Sequence, residues 1–215
     1  MTADRPSAIR RNSPLPGEAE DSRAAQREDE RALLLRHRAG DTDAFAGLVE
    51  AYREPVYGYL VRCGVEPEER DDLFQEIFLR VHRATPSYQE DRPVHPFLFT
   101  IVCNTVRTHL RRRRVRQLIP IGGDRNDDGP PRPEPASNEP SSERRAAARE
   151  ALSLVEKEIQ RLPLAHREVL LLAGVDQLPL KDVAEILGRP VNTIKTHLRR
   201  ARLQLAARLA EGGAP

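Results

Sequence analysis

A stretch near the carboxyl end of the chain, Leu180–Arg202, has the spacing and the side chains of a DNA-binding helix-turn-helix. Ala184 would let two short helices approach closely, Gly188 can take a positive φ at the turn, and the β-branched Ile194 can seat the second helix on the first. The second helix has no acidic residue before Glu211, and it offers cations for phosphates and small polar groups for base edges. The candidate contacts are Asn192, Thr193, Lys195, Thr196, Arg199 and Arg200. The alternative is a basic, solvated helix that closes a helical bundle.

A second cationic segment lies at the end of a helix that the apolar pattern predicts over Phe97–Arg114. The segment 107–116 contains six arginines and no acidic residue. Cations at a helix end interact favourably with the helix dipole, but four consecutive arginines exceed that need and favour contact with phosphates. In the polar loop before this helix, Tyr88 has little core to join and could stack on an unpaired base. Phe97 and Phe99 are more typical of a core.

The segment 66–76 has the opposite charge, so the net charge of +2 hides a strong segregation. On a helix predicted over about Glu68–Ala84, a polar row lies beside a wide apolar stripe. The row consists of Asp71, Asp72, Gln75 and Glu76. It is either an ordinary solvated face or a docking surface for a basic protein partner.

Other classes of protein find no support in the sequence. The six histidines are scattered without an HExxH motif, and Gly122-Gly123 opens a linker rather than a phosphate-binding loop, so we expect neither an enzyme nor a cofactor. Cys63 and Cys103 lie far apart without ligand spacing, which favours neither a metal site nor a disulfide framework. The amino terminus has no signal-peptide core, and no apolar run approaches the roughly 18 residues of a membrane span. We therefore expect a soluble protein of the cytoplasm or nucleus.

Helices must position these segments, because scarce aromatic residues and 32% charged residues favour small helical domains over a large β core. Residues 1–26 are predicted to be a disordered tail, and residues 27–116 a helical domain, in which Asp41 is a helix N-cap and the prolines of Thr85–Pro96 make a loop. Residues 117–142 form a flexible linker, residues 143–210 a second helical domain, and residues 211–215 a short tail. The predicted fold is all-α, with two small domains on a tether that could span some tens of ångströms.

Four stretches together resemble the bacterial sigma factors of the extracytoplasmic function (ECF, group IV) class, within the sigma-70 family. They are GDTDAFAGLVEAY from Gly40, DDLFQEIFLRVHRA from Asp71, FLFTIVCNTVRTHLRRRR from Phe97, and the helix-turn-helix region from Leu162 to Arg202. The likeness covers about Arg27–Leu209. The chain departs from the family pattern at Phe97, where tryptophan is usual, at Cys103, where arginine is common, and at Pro96 and Pro179.

The resemblance implies a sigma domain 2 and a helix-turn-helix sigma domain 4 that recruit core RNA polymerase to promoters. Binding to the β′ clamp helices of core polymerase would then involve Asp72, Leu73, Gln75, Glu76 and Leu79. Tyr88 and Asn104 match family positions that contact the −10 element, and the arginine-rich helix adds Arg107, Arg111 and Arg112 to that surface. Lys195, Thr196 and Arg199 match positions that touch −35 bases, Thr193 and Arg200 would face phosphates, and Asn192 completes the −35 set.

The resemblance also implies a cytoplasmic protein with an anti-sigma partner, without membrane insertion, metal, cofactor or small-molecule substrate. Two other functions stay open on the residues alone. One is a helix-turn-helix transcription regulator that binds its operator without polymerase, which would leave the acidic row and Tyr88 without a role. The other is an adaptor whose basic helices bind acidic proteins.

Overall fold

The computed structural model describes residues 16–118 and 152–212, and within these two ranges the chain is helical without a strand. The amino-terminal domain consists of α1 (Pro16–Arg38), α2 (Thr42–Cys63), α3 (Pro67–Ala84) and α4 (Val94–Leu118). The carboxyl-terminal domain consists of α5 (residues 152–160), α6 (Leu164–Leu170), α7 (Leu180–Leu187) and α8 (Val191–Gly212). The predicted all-α fold is confirmed. Residues 1–15, 119–151 and 213–215, with most of the predicted linker, lie outside the described residues.

Local sequence signals set both ends of α2. The Asp41 carboxylate accepts hydrogen bonds from the backbone N–H groups of Asp43 (3.0 Å) and Ala44 (3.1 Å), which confirms its prediction as an N-cap. The hydrogen bond from Ala44 and the pairing with Arg36 lower the pKa of this carboxyl group. The helix ends at Gly64, whose φ of 78° is the left-handed conformation that glycine adopts without a Cβ penalty.

Two helix starts differ from the sequence-based prediction. α1 begins at Pro16, not at about Arg27, so the prediction of a disordered tail up to residue 26 was wrong from Pro16 onward. This part of α1 is rich in Ala and Glu, which form helices by propensity without an apolar period. α4 begins at Val94, not at Phe97, and Pro96 lies in its first turn. Proline is tolerated there because first-turn N–H groups have no intrahelical partner.

In the amino-terminal domain α1 and α3 both pack against α2, and α4 contacts α1 and α3 and closes the bundle. Its interior contains Leu34, Leu48, Tyr52, Val56, Leu60, Ile77, Val81, Leu98, Phe99 and Val102, all buried. Tyr52 donates a buried hydrogen bond to the carboxylate of Glu30 (2.6 Å), so its phenol group is satisfied inside the core. This bundle holds α3 and α4 side by side with their polar faces outward.

The carboxyl-terminal domain contains the predicted helix-turn-helix. Gly188 ends α7 with φ 61°, while Ala184 and Ile194 are buried where the two helices cross. Pro179 and Pro190 stand directly before α7 and α8, where a missing N–H has no cost. Before them, α6 runs into a π-helical turn over Leu171–Val175. The predicted roles of Ala184, Gly188 and Ile194 in the helix-turn-helix are confirmed.

The two domains pack against each other. α4 lies along α7, and α2 contacts α6, so buried side chains of both domains belong to one continuous core. This contact decides which of the predicted binding residues are accessible.

Candidate nucleic-acid interface

The outer face of α8 presents the residues predicted to contact DNA bases. Asn192, Lys195, Thr196 and Arg199 are exposed and lie three or four residues apart, which places them on one face at about 100° per residue. Ile194, Leu198 and Ala201 are buried on the opposite face and hold the helix on the domain. The helix is therefore seated by one face and open on the other.

The phosphate-binding candidates flank that face. Arg200 is exposed and Thr193 is partly buried, and both lie on the same side of the base-reading row. Among the described residues, the cations Lys195, Arg199 and Arg200 form no ion pair within 4.0 Å, so their charge is available to a ligand. The hydroxyl of Thr196 donates to the carbonyl of Asn192 (2.9 Å), which fixes its side chain on the open face.

The second cationic surface lies on α4, where Asn104, Arg111 and Arg112 are exposed. Neither Arg111 nor Arg112 has an ion-pair partner among the described residues, whereas Arg113 pairs with Glu66 (2.5 Å). Part of the arginine run thus joins α4 to the start of α3, and the remaining arginines are available to bind phosphates.

Tyr88 is placed differently from the prediction. Its side chain is only 4% exposed, so the argument that it has little core to join was wrong. The ring packs on Phe97 with centroids 5.1 Å apart, and the hydroxyl donates to the backbone carbonyl of Arg92. Helix α4 places Phe97 against this loop, and local sequence patterns do not reveal such a contact. Tyr88 forms the wall of a cleft of about 480 Å³, which Thr100 of α4 and Glu185 of α7 also line.

Arg107 is also engaged within the protein. Its guanidinium donates to the carboxylate of Glu168, with Nε at 2.6 Å and Nη2 at 2.9 Å. Burial alone would lower the pKa of Arg107, but the hydrogen bonds and charge of Glu168 raise it above its usual value. Of the predicted −10 residues, Asn104, Arg111 and Arg112 are accessible in this arrangement, while Tyr88 and Arg107 are largely covered.

The polar row of α3 is exposed beside α4. Asp72 and Gln75 face solvent, Leu79 is 55% exposed, and Glu76 pairs with Arg80 (2.5 Å) on the same helix. Leu73 is only 3% exposed and forms part of the core, so it offers little surface to a partner. Between α3 and α4 runs a groove of about 770 Å³ with an acidic rim on α3 and a basic rim on α4.

Sequence reasoning missed three residues at the contact between the domains. Glu168 is 1% exposed, Arg167 donates to the carbonyl of Cys63, and the side-chain amide of Gln160 donates to the carbonyl of Val61 (2.8 Å). One signal was available for Glu168, because a carboxylate directly before the apolar run 169–172 must be buried with a partner or break the pattern.

In the two described ranges no group of three metal-ligating side chains comes together, and none of the helices described is long and apolar enough to cross a membrane. Cys63 and Cys103 are free and buried, and burial raises the pKa of the Cys63 thiol to about 12.

Within the two described ranges the chain is all-helical, and each of its two domains presents an exposed cationic helix face. Residues 48–116 match the family model for Sigma-70 region 2, and residues 152–205 match the model for Sigma-70 region 4. The RNA polymerase sigma factor NccH of Alcaligenes xylosoxydans xylosoxydans is 30% identical over 178 residues, which cover 83% of this chain and 93% of that protein. The RNA polymerase sigma factor CnrH of Cupriavidus metallidurans is 29% identical over 180 residues, which cover 84% and 94%. A solved structure of CnrH in complex with the cytosolic domain of CnrY has a TM-score of 0.63 at 24% identity, covering 86% of this chain and 99% of that one.

The chain belongs to the extracytoplasmic function class of the sigma-70 family. It binds core RNA polymerase and promoter DNA and directs promoter-specific initiation of transcription. The alternative of a polymerase-independent regulator is not favoured. Sigma factors are DNA-binding initiation factors rather than enzymes, which agrees with the expectation from the sequence.

Proposed function

We propose that the amino-terminal domain docks on core polymerase through α3 and captures the −10 element through α4, while α8 reads the −35 element. The observation that carries this proposal is the division of exposed charge among three helices: unpaired cations on α8 and α4, and an acidic-polar row on α3. DNA and a basic protein surface require opposite charges, and this chain presents both kinds of surface on separate helices.

The polymerase contact is assigned to Asp72, Gln75, Glu76 and Leu79. Asp72 has no ion-pair partner among the described residues, and Leu79, two turns further along the same face of α3, leaves more than half of its side chain in solvent. An exposed leucine bordered by carboxylates fits a partner with apolar and basic side chains on one helical face. We assign this partner to the β′ clamp helices of core polymerase.

The −10 contact is assigned to the surface of α4 and its preceding loop. Arg111 and Arg112 would bind phosphates of the non-template strand, and Asn104 would contact a base. Tyr88 and Phe97 form an aromatic wall of the neighbouring cleft, on which an unstacked base can stack. Because part of this contact needs melted DNA, the isolated chain should bind duplex DNA poorly.

The −35 contact is assigned to α8 in a major groove. Lys195, Thr196 and Arg199 would read base edges together with Asn192, while Thr193 and Arg200 would contact phosphates. We further propose that the chain acts in the bacterial cytoplasm, supplies no catalytic group and needs no metal or cofactor. An anti-sigma protein is proposed as its partner, in line with the solved complex of the sigma factor RpoE with the anti-sigma factor NepR from Bartonella quintana.

A binding and transcription experiment tests the polymerase assignment. Wild-type chain should bind bacterial core polymerase and produce run-off transcripts, whereas Gln75→Ala/Glu76→Ala should lose about tenfold or more in core affinity, since truncation of a residue at the centre of an interface costs about 2 kcal/mol or more. Glu54→Ala is the matched control, because Glu54 is an exposed carboxylate on α2 away from the row. Equal core affinity for all three proteins would contradict the assignment of α3.

A further inference from the structure

The loop that joins α3 to α4, residues 85–93, carries Tyr88 and is closed by short-range hydrogen bonds. The backbone N–H of Tyr88 donates to the carbonyl of Thr85 (3.1 Å), and the hydroxyl of Thr85 donates to the carbonyl of Val81 (2.9 Å) in α3. The N–H of Arg92 donates to the carbonyl of Gln89 (3.1 Å). These bonds shape two compact turns, and they join the loop only to itself and to the end of α3.

The last turn of α1 supplies an anchor from outside the loop. Nη1 of Arg38 donates to the backbone carbonyl of Tyr88 (3.2 Å), and Nη2 of the same guanidinium pairs with the carboxylate of Glu90. The neighbouring His37 contacts His82 of α3 through ring nitrogens that are 2.9 Å apart. One turn of α1 therefore reaches from the end of α3 to the middle of the loop.

A guanidinium suits both partners of this anchor. It presents several N–H donors in a rigid plane, so one side chain can hold a carbonyl and a carboxylate at the same time, whereas the ammonium of lysine is a single point on a flexible stem. The side chain of Arg38 is 32% exposed, so most of it is withdrawn from water. Its contacts are therefore screened less than those of a fully exposed ion pair.

The anchor also limits where the ring of Tyr88 can lie, because it holds the backbone of the same residue. The ring packs on Phe97 with centroids 5.1 Å apart, and its hydroxyl donates to the carbonyl of Arg92. Backbone, ring and hydroxyl of Tyr88 are thus each held by a separate contact. A surface that is ordered before binding loses less conformational entropy when a ligand arrives. The aromatic wall is therefore in place before a base stacks on it.

We propose that Arg38 is a positioning residue for capture of the −10 element, which holds the Tyr88 loop in its receiving conformation and does not itself touch DNA. The inference rests on the proposed function, because it takes the −10 contact at this loop and α4 as given. It also assigns a role to α1, which lies before the residues 48–116 that match Sigma-70 region 2.

The test uses polymerase holoenzyme with the full-length chain, on a promoter that carries 2-aminopurine in the −10 element of the non-template strand. This adenine analogue becomes fluorescent when it leaves the base stack. Arg38→Ala removes two hydrogen bonds of a charged group, so the equilibrium constant for unstacking should fall about tenfold. Arg38→Lys keeps the charge without the planar fork and should recover only part of the loss.

Two further variants control this experiment. Arg36→Ala is the matched control, because Arg36 is an exposed arginine of the same helix turn whose partner is Asp41 (2.6 Å) rather than the loop. It should leave the 2-aminopurine signal unchanged. Glu90→Gln weakens the anchor from the side of the loop and should lower the signal less than Arg38→Ala does. It decides the question if Arg38→Ala does not fold.

The salt dependence of promoter binding distinguishes positioning from direct contact with DNA. A positioning residue leaves the slope of log K against log salt unchanged, whereas loss of a phosphate contact lowers it by about 0.9. A lower slope in Arg38→Ala, with full recovery in Arg38→Lys, would overturn the inference. It would also be overturned by equal 2-aminopurine signals in wild-type and Arg38→Ala holoenzyme, or by an equal loss in Arg36→Ala.

Amide hydrogen exchange of the free chain keeps this inference separate from the proposed function. Arg38→Ala should raise the exchange rates of residues 85–93 about tenfold and leave those of α8 unchanged, because the anchor contacts only the loop. If wild-type holoenzyme unstacks no −10 base, the proposed function fails, and the exchange rates still decide whether Arg38 holds the loop. Unchanged loop exchange in Arg38→Ala would overturn the anchor itself.

Discussion

Removal of single cations from α8 should separate base reading from phosphate binding. Lys195, Arg199 and Arg200 are exposed and form no ion pair among the described residues, so their replacement by alanine breaks no ion pair there. We therefore expect changes in the free energy of unfolding within about 0.5 kcal/mol, as for surface substitutions in general. Any larger effect on DNA binding would then reflect the interface itself.

The size and character of the loss should differ along the helix. Arg199 lies on the base-reading row, and a good contact between a side chain and a base is worth about 1–3 kcal/mol of discrimination, or roughly five- to 150-fold. Arg199→Ala should thus relax specificity at one position of the −35 element. Arg200 flanks the row, so Arg200→Ala should weaken binding to all sequences and lower the salt-dependence slope of log K by about 0.9.

The assay is fluorescence anisotropy of promoter DNA with the polymerase holoenzyme, measured over a range of salt concentrations. The probes carry each single base substitution of the −35 element, and urea unfolding of each variant provides the stability. Lys157→Ala is the matched control for Lys195→Ala, because Lys157 is an exposed lysine of the same domain on α5.

Two results would refute this reasoning. Equal loss of affinity for every −35 sequence in Arg199→Ala would show that this side chain reads no base. A loss in Lys157→Ala as large as in Lys195→Ala would show that binding depends on the charge of the domain rather than on the face of α8.

The remaining predictions concern stability. Gly188→Ala should cost about 1–2 kcal/mol in urea unfolding, because φ is 61° although a Cβ would meet no atom within 4 Å, whereas Gly174→Ala should be neutral or stabilising. Because Ile194 is fully buried, Ile194→Ala should lower the free energy of unfolding by about 2–5 kcal/mol and weaken −35 binding. Ile194→Val should lower it by only about 0.5–1.5 kcal/mol. Equal costs for the two variants would argue against tight packing where α7 and α8 cross. Burial, with the nearby charge of Arg27, lowers the pKa of His95 from 6.5 to about 4, so on acidification the unfolded chain takes up the proton first. Stability should therefore fall by up to about 1.4 kcal/mol per pH unit between pH 6.5 and 4, and His95→Leu should remove this part of the pH dependence in thermal unfolding.

Motifs that depend on neighbouring residues were predictable. The crossing of α7 and α8 was correctly predicted because Ala184, Gly188 and Ile194 act within one short stretch, where spacing alone fixes their roles. The N-cap at Asp41 was predictable for the same reason, since the backbone N–H groups that it accepts from are two and three residues away. The exposed polar face of α3 followed from its period.

Features that depend on long-range packing were not predictable. Arg107 and Glu168 are 61 residues apart, so no local pattern indicates that they pair. Tyr88 lies in a polar loop, and no local pattern indicates that Phe97 of α4 packs against its ring. The early start of α4 at Val94 was missed because Pro96 was taken to interrupt the helix, although the first turn tolerates it.

The most direct test of the central claim is sequencing of RNA 5′ ends made by bacterial core polymerase, with and without this chain, on a library of promoter fragments. The account predicts new starts at a fixed distance downstream of two shared elements. With Arg199→Ala, one position of the upstream element should lose its base preference, and with Gln75→Ala/Glu76→Ala the new starts should become much less frequent at the same protein concentration. Starts that do not depend on the chain, or starts without any shared sequence upstream, would contradict the account.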